Sequence, residues 1–161
     1  MRWPRIGRRR LLLIVTVTLL FATASYATHQ EGRQATPRAP SLVFRLDTAK
    51  WSPPYDGPLG YPKGAQRASL GIDPASGAET YYARFPAGSR FELHWHSHAE
   101  YAVVLRGKVT HKLGTTSEKL AAGDYVIIPP KANHGWEADT GGDVFLLIRR
   151  EGPGDFNFVA H

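Results

Sequence analysis

From Ala65 to Val159 the chain consists of short apolar runs separated by turn residues, and this pattern restricts the fold more than any other feature. Runs of four to eight residues bounded by Gly, Pro and Asp are typical of all-β sandwiches and barrels. Nine strands are predicted, over residues 66–72, 79–85, 90–96, 100–105, 109–113, 125–128, 135–138, 144–149 and 156–159. The sequence has no helical period longer than about two turns and no internal repeat, so one barrel is expected.

Residues 1–27 predict a secretory signal peptide. Five arginines precede an apolar run over residues 11–24, and Ser25 and Ala27 are small residues that suit cleavage before Thr28. The run is shorter than the ~20 residues of a membrane span, so an uncleaved membrane anchor is the less favoured alternative. Export to the periplasm or the extracellular space is expected. The leader only loosely resembles a twin-arginine signal, which favours ordinary secretion.

Charge and cysteine content exclude several classes of function. The leader holds five of the 20 Lys and Arg and none of the 14 Asp and Glu, so the rest of the chain has 15 basic and 14 acidic residues. This near balance gives no reason to expect nucleic-acid binding. Because there is no cysteine, disulfides, a lipoprotein anchor and thiolate metal ligands are also excluded.

Three regions follow from the composition. Residues 1–27 are the signal peptide, residues 28–50 are a flexible tether with a first strand proposed over Ser41–Leu46, and residues 51–161 are the barrel domain. The Pro- and Gly-rich stretch from Trp51 to Lys63 excludes regular structure. It is expected to be an ordered loop, held on the domain surface or at a partner by its aromatic residues, Trp51, Tyr55 and Tyr61.

Four residues in two segments form a candidate metal site. In a strand, residues i and i+2 share a face, so His94 and His96 point the same way, with Trp95 on the other face. Glu100 opens the next strand, and His134 follows a strand that ends at two prolines. Imidazole and carboxylate suit divalent Fe, Mn, Ni, Cu or Zn. One isolated His-x-His would be read as a surface pair, but the combined set is more specific.

The spacing of these residues resembles the first motif of the cupin family. That motif, Gly-x5-His-x-His-x3-Glu-x6-Gly, is complete in this sequence at Gly88, His94, His96, Glu100 and Gly107. The resemblance covers roughly residues 51–159. It implies an all-β, cupin-type jelly-roll β-barrel (a double-stranded β-helix) in a single, small exported domain.

The second cupin motif is present with two departures. Gly123, Pro129 and His134 match, whereas Lys131 stands where Gly is usual and Ala138 where Asn is usual. The first departure affects the turn, and the second a hydrogen bond near the site. The resemblance implies one divalent transition metal ion in the barrel mouth, bound by the four predicted ligands, His94, His96, Glu100 and His134.

Three further residues are predicted as catalytic candidates. Glu92 lies two residues before His94, so an ideal strand aims it inward as a general base, the alternative being a rim carboxylate. His98 lies in the turn beside the ligands and is either a proton shuttle or a solvated histidine. An inward Arg84 would bind a substrate carboxylate. Two aromatic residues, Tyr82 and Trp136, are candidates to line the cavity, and His111 is expected at the surface or an interface.

Fold alone does not give function, and three classes remain open. The first is a small metalloenzyme acting on an oxygen-rich small molecule, dioxygenase-like with Fe, Mn, Ni or Cu and isomerase- or lyase-like with Zn. The second is a non-catalytic, metal-dependent ligand-binding or sensor module of the cell envelope. The third is a protein in which the metal only stabilises the fold. A small molecule is the expected partner, contact with a membrane is expected only through an uncleaved leader, and the Pro-rich stretch is a candidate homodimer contact.

Overall fold

The computed structural model of the chain describes residues 41–57 and 60–159. This part of the chain folds into ten strands, with one 3-10 turn at Leu46–Thr48. The strands are β1 (Gln66–Ile72), β2 (Glu79–Phe85), β3 (Arg90–Trp95), β4 (Glu100–Arg106), β5 (Lys108–Leu113), β6 (Thr116–Ala121), β7 (Tyr125–Ile128), β8 (His134–Ala138), β9 (Val144–Arg150) and β10 (Asn157–Phe158). Within the described ranges, no helix combines the length and apolarity needed to cross a membrane.

The strands form two antiparallel, five-stranded sheets that enclose the core. One sheet has the order β1-β2-β9-β4-β7, and the other has the order β10-β3-β8-β5-β6. Neighbouring sheet strands that are far apart in sequence, such as β2 beside β9 and β3 beside β8, give the jelly-roll arrangement. The predicted all-β jelly-roll barrel is thus confirmed.

Alternating burial along the strands shows which face of each sheet is internal. On β9 the buried apolar residues are Val144, Leu146 and Ile148, and on β4 they include Ala102 and Val104. The residues between them are only partly buried and face outward. Each large apolar side chain buried in this way contributes roughly 1.5–3 kcal/mol relative to an exposed one, so this alternation fixes the register of the sheets.

Two sequence predictions about strands are wrong. β6 was not predicted, because nearly all its residues are exposed and it carries no apolar alternation; it pairs with β5 at an edge of its sheet. The strand proposed over Ser41–Leu46 does not form, and Val43 and Phe44 are exposed instead. The predicted signal peptide (residues 1–27) and tether residues 28–40 lie outside the described residues.

The Pro-rich stretch packs against its own barrel. The Trp51 ring lies 5.8 Å from that of Phe145, and the Tyr61 ring lies 5.0 Å from that of Phe91. Backbone hydrogen bonds from Ser52 N to Arg67 O and from Glu92 N to Gly60 O tie it to β1 and β3. Its described residues have no regular secondary structure, as predicted, and they form a wall over one end of the barrel.

Candidate metal centre

Two neighbouring strands bring three histidines together inside the barrel. His94 and His96 are both buried at the end of β3, with Trp95 between them on the other face, as the alternation predicted. His134 opens β8 and is the direct cross-strand partner of His94. One ligand atom from each of the three rings lies within 4.8 Å of the other two. The structure therefore places these three predicted ligands around one point.

Backbone carbonyl groups orient all three rings. Nδ1 of His94 donates to Glu92 O at 2.7 Å, and Nδ1 of His134 donates to Ala132 O at 3.0 Å. Nδ1 of His96 donates to Asp155 O at 2.5 Å. These bonds assign the proton to Nδ1 and leave the lone pair of each ring on Nε2, which is the usual arrangement for histidines that ligate a metal. Nε2 of His96 also lies 3.3 Å from Nη2 of Arg150.

The charge state and burial of the rings also fit a metal. Burial, with the neighbouring His134 as a second cause, lowers the pKa of His94 to about 3, and burial also lowers the pKa of His134. Both rings are therefore neutral at neutral pH, the form that binds metal. Nε2 of His134 is buried and has no hydrogen-bond partner among the described residues. A buried imidazole nitrogen without a partner is costly unless it binds an ion or water, so the residues fit a divalent transition metal.

Glu100, the fourth predicted ligand, is buried beside the histidines but is paired with an arginine. Its Oε2 atom lies 3.1 Å from Nη2 of Arg150 and 3.3 Å from Nε2 of His96, and Oε1 lies 4.0 Å from Nε2 of His134. Burial alone would raise the pKa of Glu100, but its contacts with His96 and Arg150 lower it to about 2. Glu100 is thus an ionised carboxylate within 4.0 Å of Nε2 of both His96 and His134.

Arg150 is the functional residue that the sequence analysis missed. It is only 1% exposed, and it also donates from Nη1 to Asp155 O at 2.9 Å and from Nη2 to the Tyr81 hydroxyl at 3.3 Å. The sequence could have indicated this residue. Alternate residues of β9 from Val144 to Ile148 face inward, and the same alternation places residue 150 on the inner face. The predicted strand ended at Arg149, one residue too early.

A cavity of about 350 Å³ lies beside the histidines. His94, Glu100 and Arg150 reach it from the metal-binding end, and most of the remaining wall is apolar or aromatic. The aromatic part of the wall includes Tyr55, Tyr61, Phe85, Phe91, Trp136 and Phe156. Such a cavity is of the size that holds a small molecule, with few polar groups to orient it. Trp136 was correctly predicted to line it.

Glu92 does not point into the barrel, contrary to the sequence prediction. A β-bulge between Phe91 and His94 shifts the register of β3 against β8, so Phe91 takes the inward position and stacks on the His94 ring. Glu92 instead forms an ion pair with Arg90, at 3.2 Å between Oε1 and Nε. Gly135 permits this bulge, since a Cβ there would lie 2.9 Å from Phe91 O.

Arg84 and Tyr82 lie on the outer face of the barrel, so their predicted inward placement is also wrong. On β2 the inward residues are Tyr81, Ala83 and Phe85, which leaves the even-numbered residues outside. Both Nε and Nη2 of Arg84 donate to Oδ2 of Asp143, at 2.8 and 2.6 Å. Arg84 is therefore already paired at the rim.

The two other histidines among the described residues have different environments. His98 is exposed in the turn between β3 and β4, where its ring contacts Gly152, and it does not line the cavity. His111 was expected at a surface or interface, but it is 4% exposed inside the barrel, with its ring 4.4 Å from that of Trp136. The prediction for His111 was wrong because its strand, β5, turns this residue to the inner face of its sheet.

The departure at Lys131 leaves the turn before His134 in place. Lys131 adopts a left-handed backbone with φ of 61°, a conformation that favours glycine. Its N–H donates to His96 O at 2.8 Å, so this turn connects the two ligand segments.

Comparisons with known proteins agree with this geometry. Residues 81–148 match the model of the cupin domain family. A cupin 2 conserved barrel domain protein from Rhodopseudomonas palustris is similar over 70% of this chain and 79% of its own, with 25% identity and a TM-score of 0.60. A cupin-2 domain protein from Rhodospirillum rubrum is similar over 77% and 84%, with 19% identity and a TM-score of 0.62. The polyketide cyclase RemF from Streptomyces resistomycificus is similar over 75% and 87%, with 19% identity and a TM-score of 0.60. No curated protein matches the sequence significantly.

The fold and the histidine trio together define a jelly-roll protein with a candidate metal site in its barrel. The family match shows a cupin domain over residues 81–148, and the similar structures show the same barrel fold. The two structures with 19% identity support the fold alone.

Proposed function

We propose that this protein is an exported metal-dependent enzyme that acts on a small molecule with an apolar ring and at least one oxygen donor. The observation that carries the proposal is the position of the histidine trio, next to a cavity of about 350 Å³ whose wall is mostly apolar or aromatic. His94, His96 and His134 would hold one Fe, Mn, Ni, Cu or Zn ion. When bound, the ion would supply Lewis acidity, and a redox-active ion would also supply reactivity with dioxygen.

The surrounding residues have separate tasks in this proposal. Aromatic rings such as Phe91 and Phe156 bind the apolar part of the substrate. The Pro-rich stretch, through Tyr55 and Tyr61, covers the cavity and excludes water, which strengthens electrostatic interactions inside it. Glu100 is ionised, and its Oε1 atom is free to accept a hydrogen bond from a substrate hydroxyl. Its low pKa makes it a weak base, better suited to orient a proton than to remove it.

One of the similar structures is named a polyketide cyclase. This name supports the idea that a jelly-roll cavity can accommodate a reaction on an oxygenated ring compound, although at 19% identity it is an analogy of fold. A phenolic or diketone ring compound is therefore the first substrate class to test.

A non-catalytic, metal-dependent binding or sensor module is the second candidate. It is favoured by one observation, which is that none of the three predicted catalytic residues, Glu92, His98 and Arg84, lines the cavity. In this alternative the same ion and aromatic wall hold a ligand that leaves unchanged.

The test begins with the metal content of the purified domain after loading with Fe²⁺, Mn²⁺ or Zn²⁺. About one ion per chain is expected in the wild type and in His98→Ala, the matched control, but not in His134→Ala. Loaded wild-type protein is then incubated with phenolic and diketone ring compounds, with oxygen uptake and product formation followed. Absence of metal in the wild type would reject both candidates. Bound ligand recovered unchanged would reject the enzyme and support the binding module.

Export and self-association are separate proposals. N-terminal sequencing of the native protein is expected to begin at Thr28, and an intact Met1 would contradict cleavage of the leader. A homodimer is expected to sediment at twice the chain mass, and a monomer at all concentrations would reject it.

A further inference from the structure

The charged groups that line the cavity are unequal in sign. Among the described residues they are two arginines, Arg67 and Arg150, and one carboxylate, Glu100. His94 also lines the cavity, but burial lowers its pKa to about 3, so its ring is neutral. Arginine keeps its proton throughout the physiological range. The lining therefore carries more positive than negative charge, and a divalent ion at the candidate centre would increase this excess.

Arg150, the inner of the two arginines, has a donor without a partner. Its side chain is 1% exposed, with Nη1 2.9 Å from Asp155 O and Nη2 3.1 Å from Oε2 of Glu100. Its Nε atom is buried and has no hydrogen-bond partner in the part of the chain that the structure describes. A buried N–H of a charged group is costly to leave unpaired. An oxygen atom of a ligand in the cavity would supply the acceptor that Nε lacks.

Arg67 brings a second guanidinium to the mouth of the cavity. It lies on the edge strand β1, opposite Ala83, which is buried and faces inward. Directly opposed residues share a face of the sheet, so Arg67 is on the inner side as well. Its side chain is 47% exposed, and within the described ranges its guanidinium makes one hydrogen bond, from Nη2 to Oε2 of Glu79 at 3.2 Å. The remaining N–H groups of Arg67 are available to a ligand.

Tyr81 connects the two arginines. The guanidinium carbon of Arg67 lies 4.4 Å from the centre of the Tyr81 ring, and the hydroxyl of Tyr81 lies 3.3 Å from Nη2 of Arg150. Burial raises the pKa of Tyr81 to about 12, so its phenol is neutral and cancels neither positive charge. The two cations thus follow one another from the solvent-exposed mouth to the candidate metal centre. A cleft lined in this way attracts anions and guides them inward.

We propose that the substrate is an aromatic carboxylate anion, which Arg67 attracts at the mouth and whose carboxylate Arg150 binds inside. Arginine suits this role because its N–H groups match the two oxygens of a carboxylate. The aromatic wall, with residues such as Phe91 and Phe156, accounts for the ring. This inference rests on the proposed function, since it concerns the same cavity, and it narrows the phenolic compounds to those that also carry a carboxylate.

The test compares 4-hydroxybenzoate with its neutral isostere, 4-hydroxybenzamide, by calorimetric titration of the zinc-loaded protein at neutral pH. The wild type is expected to bind the anion about tenfold more tightly, because charge-assisted hydrogen bonds are the stronger ones. Arg67→Met should reduce this ratio to about threefold or less, and so should Arg150→Lys, which keeps the charge but has no Nε–H group. The matched control is Arg106→Met. Arg106 also lies over an aromatic ring, 5.2 Å from the centre of Phe145, but it does not line the cavity, so the ratio should stay at the wild-type value.

The zinc content of the same samples separates this inference from the proposed function. A wild type without zinc would overturn both. A wild type that holds zinc but binds the two compounds equally, or binds neither, would overturn the inference alone. An unchanged ratio in Arg67→Met or Arg150→Lys would assign the preference to the zinc ion and would also overturn it. Should Arg150→Lys not fold, Arg67→Met, at a half-exposed position, decides the question by itself.

Discussion

Two arginine–carboxylate pairs in the same barrel differ mainly in their exposure to water. Arg84 and Asp143 meet at the rim with 2.6 Å between Nη2 and Oδ2, and their side chains are 38% and 29% exposed. Arg150 and Glu100 meet inside with a longer distance of 3.1 Å, and their side chains are 1% and 4% exposed. Water screens the charges of the rim pair. Its shorter N–O distance therefore does not mean that the rim pair contributes more to stability than the inner pair.

The comparison also shows that the face of the strand on which a residue lies is a better guide to its function than its residue type. Both arginines are on strands of the same sheet, and either could have been a substrate-binding cation. On β2 the odd-numbered residues face inward, so Arg84 faces solvent, whereas on β9 the even-numbered residues face inward and Arg150 reaches the cavity. The inner pair lies beside the histidine trio, whereas the rim pair lies on the outer face of the barrel.

The largest expected effect comes from removing one partner of the inner pair. Arg150→Met leaves the Glu100 charge buried without its cation, so the free energy of unfolding should fall by about 3–5 kcal/mol. The matched rim variant, Arg84→Met, should cost no more than about 1 kcal/mol. Urea unfolding in the presence of EDTA measures both, since the chelator removes any stabilisation by bound metal. Equal losses in the two variants would contradict the comparison.

A double variant refines this prediction. Glu100→Gln/Arg150→Met removes both charges, so it should be more stable than Arg150→Met alone by at least about 1 kcal/mol. A further loss in the double variant would mean that Arg150 stabilises the barrel by packing on Phe156 and Tyr81 rather than by pairing with Glu100.

A smaller effect is expected from pH at the rim pair. The hydrogen bond from Arg84 is the main cause that lowers the pKa of Asp143 below its ordinary value. A lowered folded-state pKa gives stability that is present above the unfolded pKa of about 3.9 and is lost as the pH falls through the folded value. Asp143→Asn should remove this part of the acid sensitivity, which solvent screening limits to about 1 kcal/mol.

Unfolding free energies measured from pH 6 to pH 2.5 check this prediction. The difference between wild type and Asp143→Asn should be largest at pH 6 and should shrink towards pH 2.5. A difference that is constant across this range would show that Asp143 acts through neutral hydrogen bonds, such as the one from Ala87 N, and not through its charge.

Most of the fold and the histidine trio could be predicted from the sequence, because both depend on local patterns. Apolar runs bounded by Gly and Pro give the strands, and the i, i+2 rule places His94 and His96 on one face. Glu92 could not be placed, because the bulge that turns it outward depends on how β3 pairs with β8. β6 has no apolar pattern to detect, since it is an exposed edge strand held by backbone hydrogen bonds.

The smallest effect is expected at His111, an interior polar residue that lacks the pairing of Arg150. Burial, and secondarily the nearby His134, lowers the pKa of His111 to about 4, so the ring is neutral at pH 7. Its Nε2 atom is buried without a hydrogen-bond partner within the described ranges. Replacing such a group with an apolar residue of similar size removes a polar atom that has no compensating bond. His111→Leu should therefore stay within about 1 kcal/mol of the wild-type unfolding free energy in urea. A loss of unfolding free energy above about 2 kcal/mol would show that Nε2 of His111 has a partner, such as a buried water. The polar site inside the barrel would then extend beyond His134 to His111.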